Sequence, residues 1–416
     1  MKTDKEILRP IIDEYLEIAN DAIQDERKEL WARHNALMPT KKIPISVYYE
    51  GMPAQHWNLM FGENYLQCRD SMARSFEFNL KRQIWMERNV PDDHIKWTAV
   101  WINAASRSIR NWGVSMGWKR PQESLGAGQV TPPFADKIGI SQLTMPEVEV
   151  DERETTELKE KAEELVERRL KVFVSYPDMG FNPFDILIRM RGMDNLFIDM
   201  YDRPEVVHEL MSFIEEALVG SYKKREERGW INVSPFDDSK YQAVGFRVNC
   251  AYLAEDFRHR KPNLADEWIY VSDQTSEGLS PKQYEEFVHR YHIRMAEFFT
   301  RKTVYHHACE NTDSRIDIIR NLPNLRRYHV SPWTNIELAR EKLQDKFVLE
   351  VHAHSSNVAM AYTRKEMREE LKHYIDVAGD VNIDLNLSDI HSINGRPDVL
   401  REWSEVAQEL ADKNLS

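Results

Sequence analysis

Two patterns of apolar positions divide the chain near residue 170. Before it, apolar residues recur at helical spacing over residues 6–38 and again over 65–88, where Trp and Met fall on one side; this predicts two amphipathic helices, the first ending near Pro39. Between them IPISVYYEGMPAQHW reads as a short strand and a Gly/Pro loop. Residues 151–169, DERETTELKEKAEELVERR, set their charges four apart, the signature of a solvated helix face rather than an acidic binding patch. The preceding loop, SLGAGQVTPPFADKIG, has the composition of a connection or of a lid over a cleft.

Beyond residue 170 short apolar runs alternate with helical ones. LKVFVSYP precedes FNPFDILIRM, and LFIDMY precedes a helix over 204–228; QAVGFRVN follows, and EWIYVSD precedes a helix over 281–301. Then KTVYHHA, RRYHVSP, FVLEVHA and VNIDLNL precede helices over 314–321, 335–344, 363–377 and 397–413. With AVWIN at 99–103 the strands number near eight, short and apolar as parallel strands covered on both faces should be. The expected fold is α/β, a (β/α)8 TIM barrel over residues 1–416, with residues 1–95 a mostly helical N-terminal extension packed on it. A doubly wound sheet is the alternative, but no strand is followed by a Gly-rich dinucleotide fingerprint.

Composition narrows the function classes. With 11 Trp, 16 Tyr and 16 Phe in 416 residues the chain has ample material for a core, so no disordered class fits. A formal net charge of −13 argues against nucleic acid as the partner, because phosphate binding needs a basic footprint. Cys68, Cys250 and Cys309 are too few and too scattered for a disulfide framework, which points to a reducing compartment, the cytoplasm. The N-terminus lacks the uninterrupted apolar stretch of a signal peptide, and no run reaches the roughly 18 apolar residues of a membrane span.

A barrel concentrates its chemistry where strands end. The polar residues at those ends are Asp273, His307, Cys309, His329, His352, His354, Asp384, Asn386 and His391. In TVYHHACE, His307 and Cys309 are two apart and so share a face of an extended strand, presenting an imidazole and a thiol to one point, as a soft metal ion requires. His306 then faces away, and Glu350 shares the side of His352. Cys68 and Cys250 are structural on this reading, although Cys250, which ends a predicted strand, is a further candidate to enter the site.

Three stretches resemble the uroporphyrinogen decarboxylase superfamily: DMYDRPEVVHELMSFIEEALVGSYKKREERGW, SDQTSEGLSPKQYEEFVHRYHIRMAEFF, and HHACENTDSRIDIIRNLPNLRRYHVSPWTNIELAREKLQDKFVLEV. The resemblance covers roughly residues 196–410 and is clearest in LSP followed by an aromatic-rich helix. It implies a (β/α)8 barrel with its site at the carboxyl ends of the strands. Within the superfamily the metal-free decarboxylases carry an arginine-rich RQAGRY-like segment near the N-terminus; here that region reads YYEGMPAQHWNLMFG. The corrinoid-linked methyltransferases, including methylcobamide:coenzyme M methyltransferases, instead carry His-x-Cys, then a distant Cys in an SPGC-like turn, and bind zinc. His307 and Cys309 match the first two positions, and Ser388-Asp389-Ile390-His391 stands at the turn, so the resemblance implies His391 as the third ligand.

A His/Cys/His set leaves a zinc ion with a formal charge of about +1, where two thiolates would neutralise it. Such an ion is the better Lewis acid and the poorer platform for a nucleophilic thiolate. The expectation is therefore a zinc-dependent methyltransferase that demethylates an O-methyl compound, a methoxylated aromatic, and passes the methyl group to the Co(I) corrinoid (cobalamin) of a partner protein. Asp273 and His352 are the expected catalytic residues, and His329, His354, Asp384 and Asn386 line the substrate pocket. Transfer to a thiol or pterin, or metal-free decarboxylation, are the alternative activities, and a homodimer is open.

Overall fold

The computed structural model describes residues 2–412 apart from 50, 51, 53, 120–127, 137, 237, 238 and 246. Parts of the loop 124–139 and of the loop after IPISVYY, and the last residue of the expected helix 397–413, lie outside the described residues. Ten strands matter here: β1 (Ile45–Val47), β2 (Ala99–Asn103), β3 (Lys171–Ser175), β4 (Tyr241–Val244), β5 (Asn249–Tyr252), β6 (Ile269–Ser272), β7 (Val304–His307), β8 (Leu325–Val330), β9 (Val348–His352) and β10 (Ile383–Leu387).

Six of them form one wholly parallel sheet in the order β1-β10-β9-β8-β7-β6, and Phe181 adds a parallel bridge to Val271 beyond β6. On its outer face Val304, Tyr328, Leu349, Val351, Ile383 and Leu385 are buried against the helices, each contributing about 1.5–3 kcal/mol of apolar burial. On the inner face, side chains from alternate strands meet: Tyr305 of β7 reaches Glu350 of β9, and Arg327 of β8 reaches Asp384 of β10. That is how layers fill the lumen of a TIM barrel, and the α/β barrel expected from the strand rhythm is the architecture observed.

Several elements depart from expectation for local reasons. Residues 6–38 form two helices, Asp4–Ala19 and Ile23–Asn35, because Asp21 Oδ1 accepts from the Ile23 amide and breaks the run between them. LFIDMY lies within a helix, Met193–Asp202, with Leu196 and Met200 buried one turn apart; a short apolar run does not distinguish strand from helix by itself. QAVGFRVN is not one strand but parts of the antiparallel hairpin β4-β5, with Arg247 in its turn and Asn249 at the start of β5 both at positive φ. AVWIN (β2) pairs with β3 in a separate parallel sheet, whereas ISV (β1), expected in the helical extension, is a strand of the barrel sheet. The expected helix 281–301 ends at Ala296 and contains a π-helical turn, Glu285–His289.

Candidate metal centre

Register stacks two polar layers inside the sheet. The deeper layer is a buried charge network: Arg327 Nη2 donates to Glu350 Oε2 (2.8 Å) and Asp384 Oδ1 (3.0 Å), and Arg327 Nη1 donates to Asn35 Oδ1 (2.8 Å). The end of helix Ile23–Asn35 also brings His34 Nε2 to 2.8 Å from Asp384 Oδ2, so the N-terminal helices plug the barrel beneath this layer. Two carboxylates around one guanidinium, each group fully buried, persist only because every charge has a partner.

The upper layer holds imidazoles. His307 and His329 stack with ring centroids 4.0 Å apart, and His352 lies 3.9 Å from His329 and 6.0 Å from His307. Cys309, just past the end of β7, sets its Sγ 3.1 Å from His307 Nε2 and accepts from Gln274 Nε2 at 3.0 Å. Ligand atoms of His307, Cys309 and His329 lie within 4.8 Å of one another, a spacing at which they could hold a metal ion. The donor set fits one. Both ring nitrogens of His329 are buried without a hydrogen-bond partner, an arrangement that costs free energy unless a lone pair is taken up.

Protonation follows from the surroundings. Burial holds the imidazoles of His307, His329 and His352 well below the usual range, with Arg247 and, for the first two, neighbouring imidazoles adding to it; a neutral ring is the ligating form. The Tyr305 hydroxyl donates to Glu350 Oε1 (2.7 Å) and lies 2.7 Å from His307 Nδ1, so Nδ1–H donates to it and the Nε2 lone pair is left facing Cys309. The Cys309 thiol is pushed up to about 12 by burial and then by Asp389, so a cation entering here must displace its proton.

The residues singled out in the sequence separate into those that meet here and those that do not. His307 and Cys309 converge, and His306 faces the opposite side, as their alternation requires. His391 is not in the cluster: Asp389 adopts a left-handed φ of 56°, Ile390 turns inward and His391 is exposed. The loop after β10 reaches the site instead through Ser388, whose Oγ is 2.9 Å from His352 Nδ1, and through Asp389, 3.7 Å from Arg247 Nη2. His329, expected in the substrate pocket, takes the third place.

Asp273 lies on the helix side of the sheet with His306 (3.2 Å from its Nε2) and Tyr284, whose hydroxyl donates to it, so it does not face the cluster. His352 Nε2 is 2.5 Å from Glu350 Oε1, which places it in the polar network. Asp384 and Asn386 belong to the barrel interior, joined at 2.6 Å and fully buried, whereas His354 is half-buried against Trp333. Cys250 is buried with Trp31 and Trp97, away from the cluster. Arg247, from the β4-β5 turn, was not foreseen; its Nη1 lies 3.2 Å from His307 Nδ1. Nor was Tyr305, although its spacing of two from His307 carries the signal.

The class of protein these features define is the α/β barrel whose strand ends offer a nitrogen and sulfur donor set to a metal ion. The profile of the uroporphyrinogen decarboxylase (URO-D) family matches residues 266–386, from just before β6 into β10. The fold of the chain is similar to that of a methyltransferase from Methanosarcina mazei, with a TM-score of 0.54 over 92% of this chain and 98% of the other at 10% sequence identity. No curated protein sequence matches the chain. Among the described residues, no helix is long and apolar enough to cross a membrane.

Proposed function

We propose that the protein is a zinc-dependent methyltransferase that demethylates an O-methyl compound, a methoxylated aromatic, and delivers the methyl group to the Co(I) corrinoid of a partner protein. The observation that carries this reading is the convergence of His307, Cys309 and His329, with both His329 nitrogens lacking a partner. Replacing His391 by His329 leaves the charge count unchanged: two neutral imidazoles and one thiolate. When bound there, zinc supplies a Lewis acid for the ether oxygen. The Tyr305–Glu350 pair holds the His307 ring in the ligating tautomer, and Ser388 with Glu350 fixes His352 beside His329. As the C–O bond breaks, the methyl group leaves without the electron pair, which stays on oxygen; the Arg247 guanidinium beside His307 offers positive charge to that oxygen. The reading places the protein in the cytoplasm, working as one unit in which residues 1–95 contribute β1 to the barrel sheet as well as helices packed on it.

Metal analysis tests the ligand set. Wild type and His391→Ala are expected to retain zinc near one per chain, and Cys309→Ala and His329→Ala to lose it. Loss in His391→Ala with retention in His329→Ala would overturn the assignment. Methyl transfer is then checked by absorbance of a reduced corrinoid protein given methoxyarenes, methanol or methylamines, and methylation from none of them ends the reading.

A further inference from the structure

Beside the metal centre, at the same end of the barrel, lies a cavity of about 560 Å³ that the mechanism above does not use, within the size range of small-molecule sites. Tyr48 follows β1 and lines it; its ring centroid is 5.4 Å from the Arg247 guanidinium carbon, and Arg247 in turn touches His307. One side chain thus separates cavity from centre.

The walls are aromatic. Trp57 meets Tyr49 edge-on (5.2 Å) and Phe78 edge-on (5.9 Å), and Met52 and Met86 complete an apolar lining. Into this wall is set Arg82, its guanidinium carbon 4.2 Å from the Tyr49 ring centroid and 5.1 Å from that of Phe78. The other cationic or basic groups lining the cavity have counter-ions: Lys96 Nζ is 2.9 Å from Glu87, and His94 Nδ1 is 2.5 Å from Asp92. Arg82 differs. It donates to Asn79 Oδ1 at 2.9 Å, its Nε is buried without a hydrogen-bond partner, and among the described residues no carboxylate pairs with it. A guanidinium stacked on aromatic rings keeps its in-plane donors for an anion, and a carboxylate matches their fork.

We infer that this cavity binds a compact aromatic carboxylate, with Arg82 pairing its carboxylate and Tyr49, Trp57 and Phe78 enclosing its ring. That this ligand is the methyl donor, a methoxybenzoate, rests on the function proposed above; the binding itself does not.

The test titrates the purified protein with 3-methoxybenzoate and with its neutral isostere 3-methoxybenzamide, followed by quenching of tryptophan fluorescence and by calorimetry. The carboxylate is expected to bind about tenfold more tightly than the amide, the worth of one charged hydrogen-bonded pair. Arg82→Gln should bring the two affinities together, and Arg82→Lys should restore part of the preference. Equal affinities in wild type, no binding of either probe, or a preference that survives in Arg82→Gln would each overturn the inference; the wild-type comparison decides alone where the variant does not fold. Charge-selective binding without any methyl transfer leaves the subsite standing and sinks the methyl-transfer reading. Methyl transfer from 3-methoxybenzoate with unchanged KM in Arg82→Gln does the reverse.

Discussion

Tyr305→Phe removes one oxygen atom from the centre and nothing else. That hydroxyl is fully buried and stands 2.7 Å from both His307 Nδ1 and Glu350 Oε1. Glu350 keeps partners without it, since Oε1 still faces His352 Nε2 at 2.5 Å and Oε2 still accepts from Arg327 at 2.8 Å. His307 does not: Arg247, its other neighbour at Nδ1, has only hydrogens to offer and cannot accept from Nδ1–H. One buried donor is therefore orphaned, at a cost of about 1–3 kcal/mol. The ring is also freed to adopt the other tautomer, and loss of such an orienting partner weakens metal binding about 10–100-fold. That factor equals about 1.4–2.8 kcal/mol, the same size as the orphaned donor. Zinc affinity is measured by competition with a chromogenic chelator, and stability by urea unfolding of the metal-free protein. Unchanged zinc affinity alongside reduced stability would show that the hydroxyl only braces the barrel, and would refute the tautomer reasoning.

Two further outcomes are expected. Arg327→Met should lower unfolding stability by about 3–5 kcal/mol, because Glu350 loses its cation while fully buried and Asp384 is left with His34 and Asn386 alone; wild-type stability in urea would contradict the charge network. His292 is fully buried against Phe181, facing Asp273, His289 and His306, and burial lowers its pKa to about 3. Between about 6.5 and 3 the unfolded chain holds the extra proton, so the stability from keeping this ring neutral is complete above about 6.5 and is lost as pH falls, at up to about 1.4 kcal/mol per pH unit. His292→Phe should therefore reduce, without abolishing, the fall of melting temperature from neutral pH to pH 4, since His289, lowered to about 4 by burial, keeps the same sign. Parallel curves for variant and wild type would show that His292 is not held neutral by the fold.

Local periodicity carried β6 to β10, helix Pro204–Arg228 and the shared face of His307 and Cys309, because each follows from spacings of two or of three to four along a few residues. It also turned His306 away from the face of His307, whereas Asp384 and Asn386, expected in the substrate pocket, lie in the buried polar interior. It did not reveal that β1 joins the barrel, that LFIDMY is helical, or that a turn beyond β4 delivers Arg247, since those depend on what the segments pack against.

The third member of the cluster was likewise a tertiary decision. Val304 pairs with Leu325 but Tyr305 pairs with Arg327, so β8 carries one extra residue, Arg326, against β7. That single slip puts Arg327 and His329 in phase with Tyr305 and His307, while the left-handed turn at Asp389 sends His391 to solvent. Alternation along a strand is written in the strand; the register between two strands is set by the helices and turns that hold them side by side.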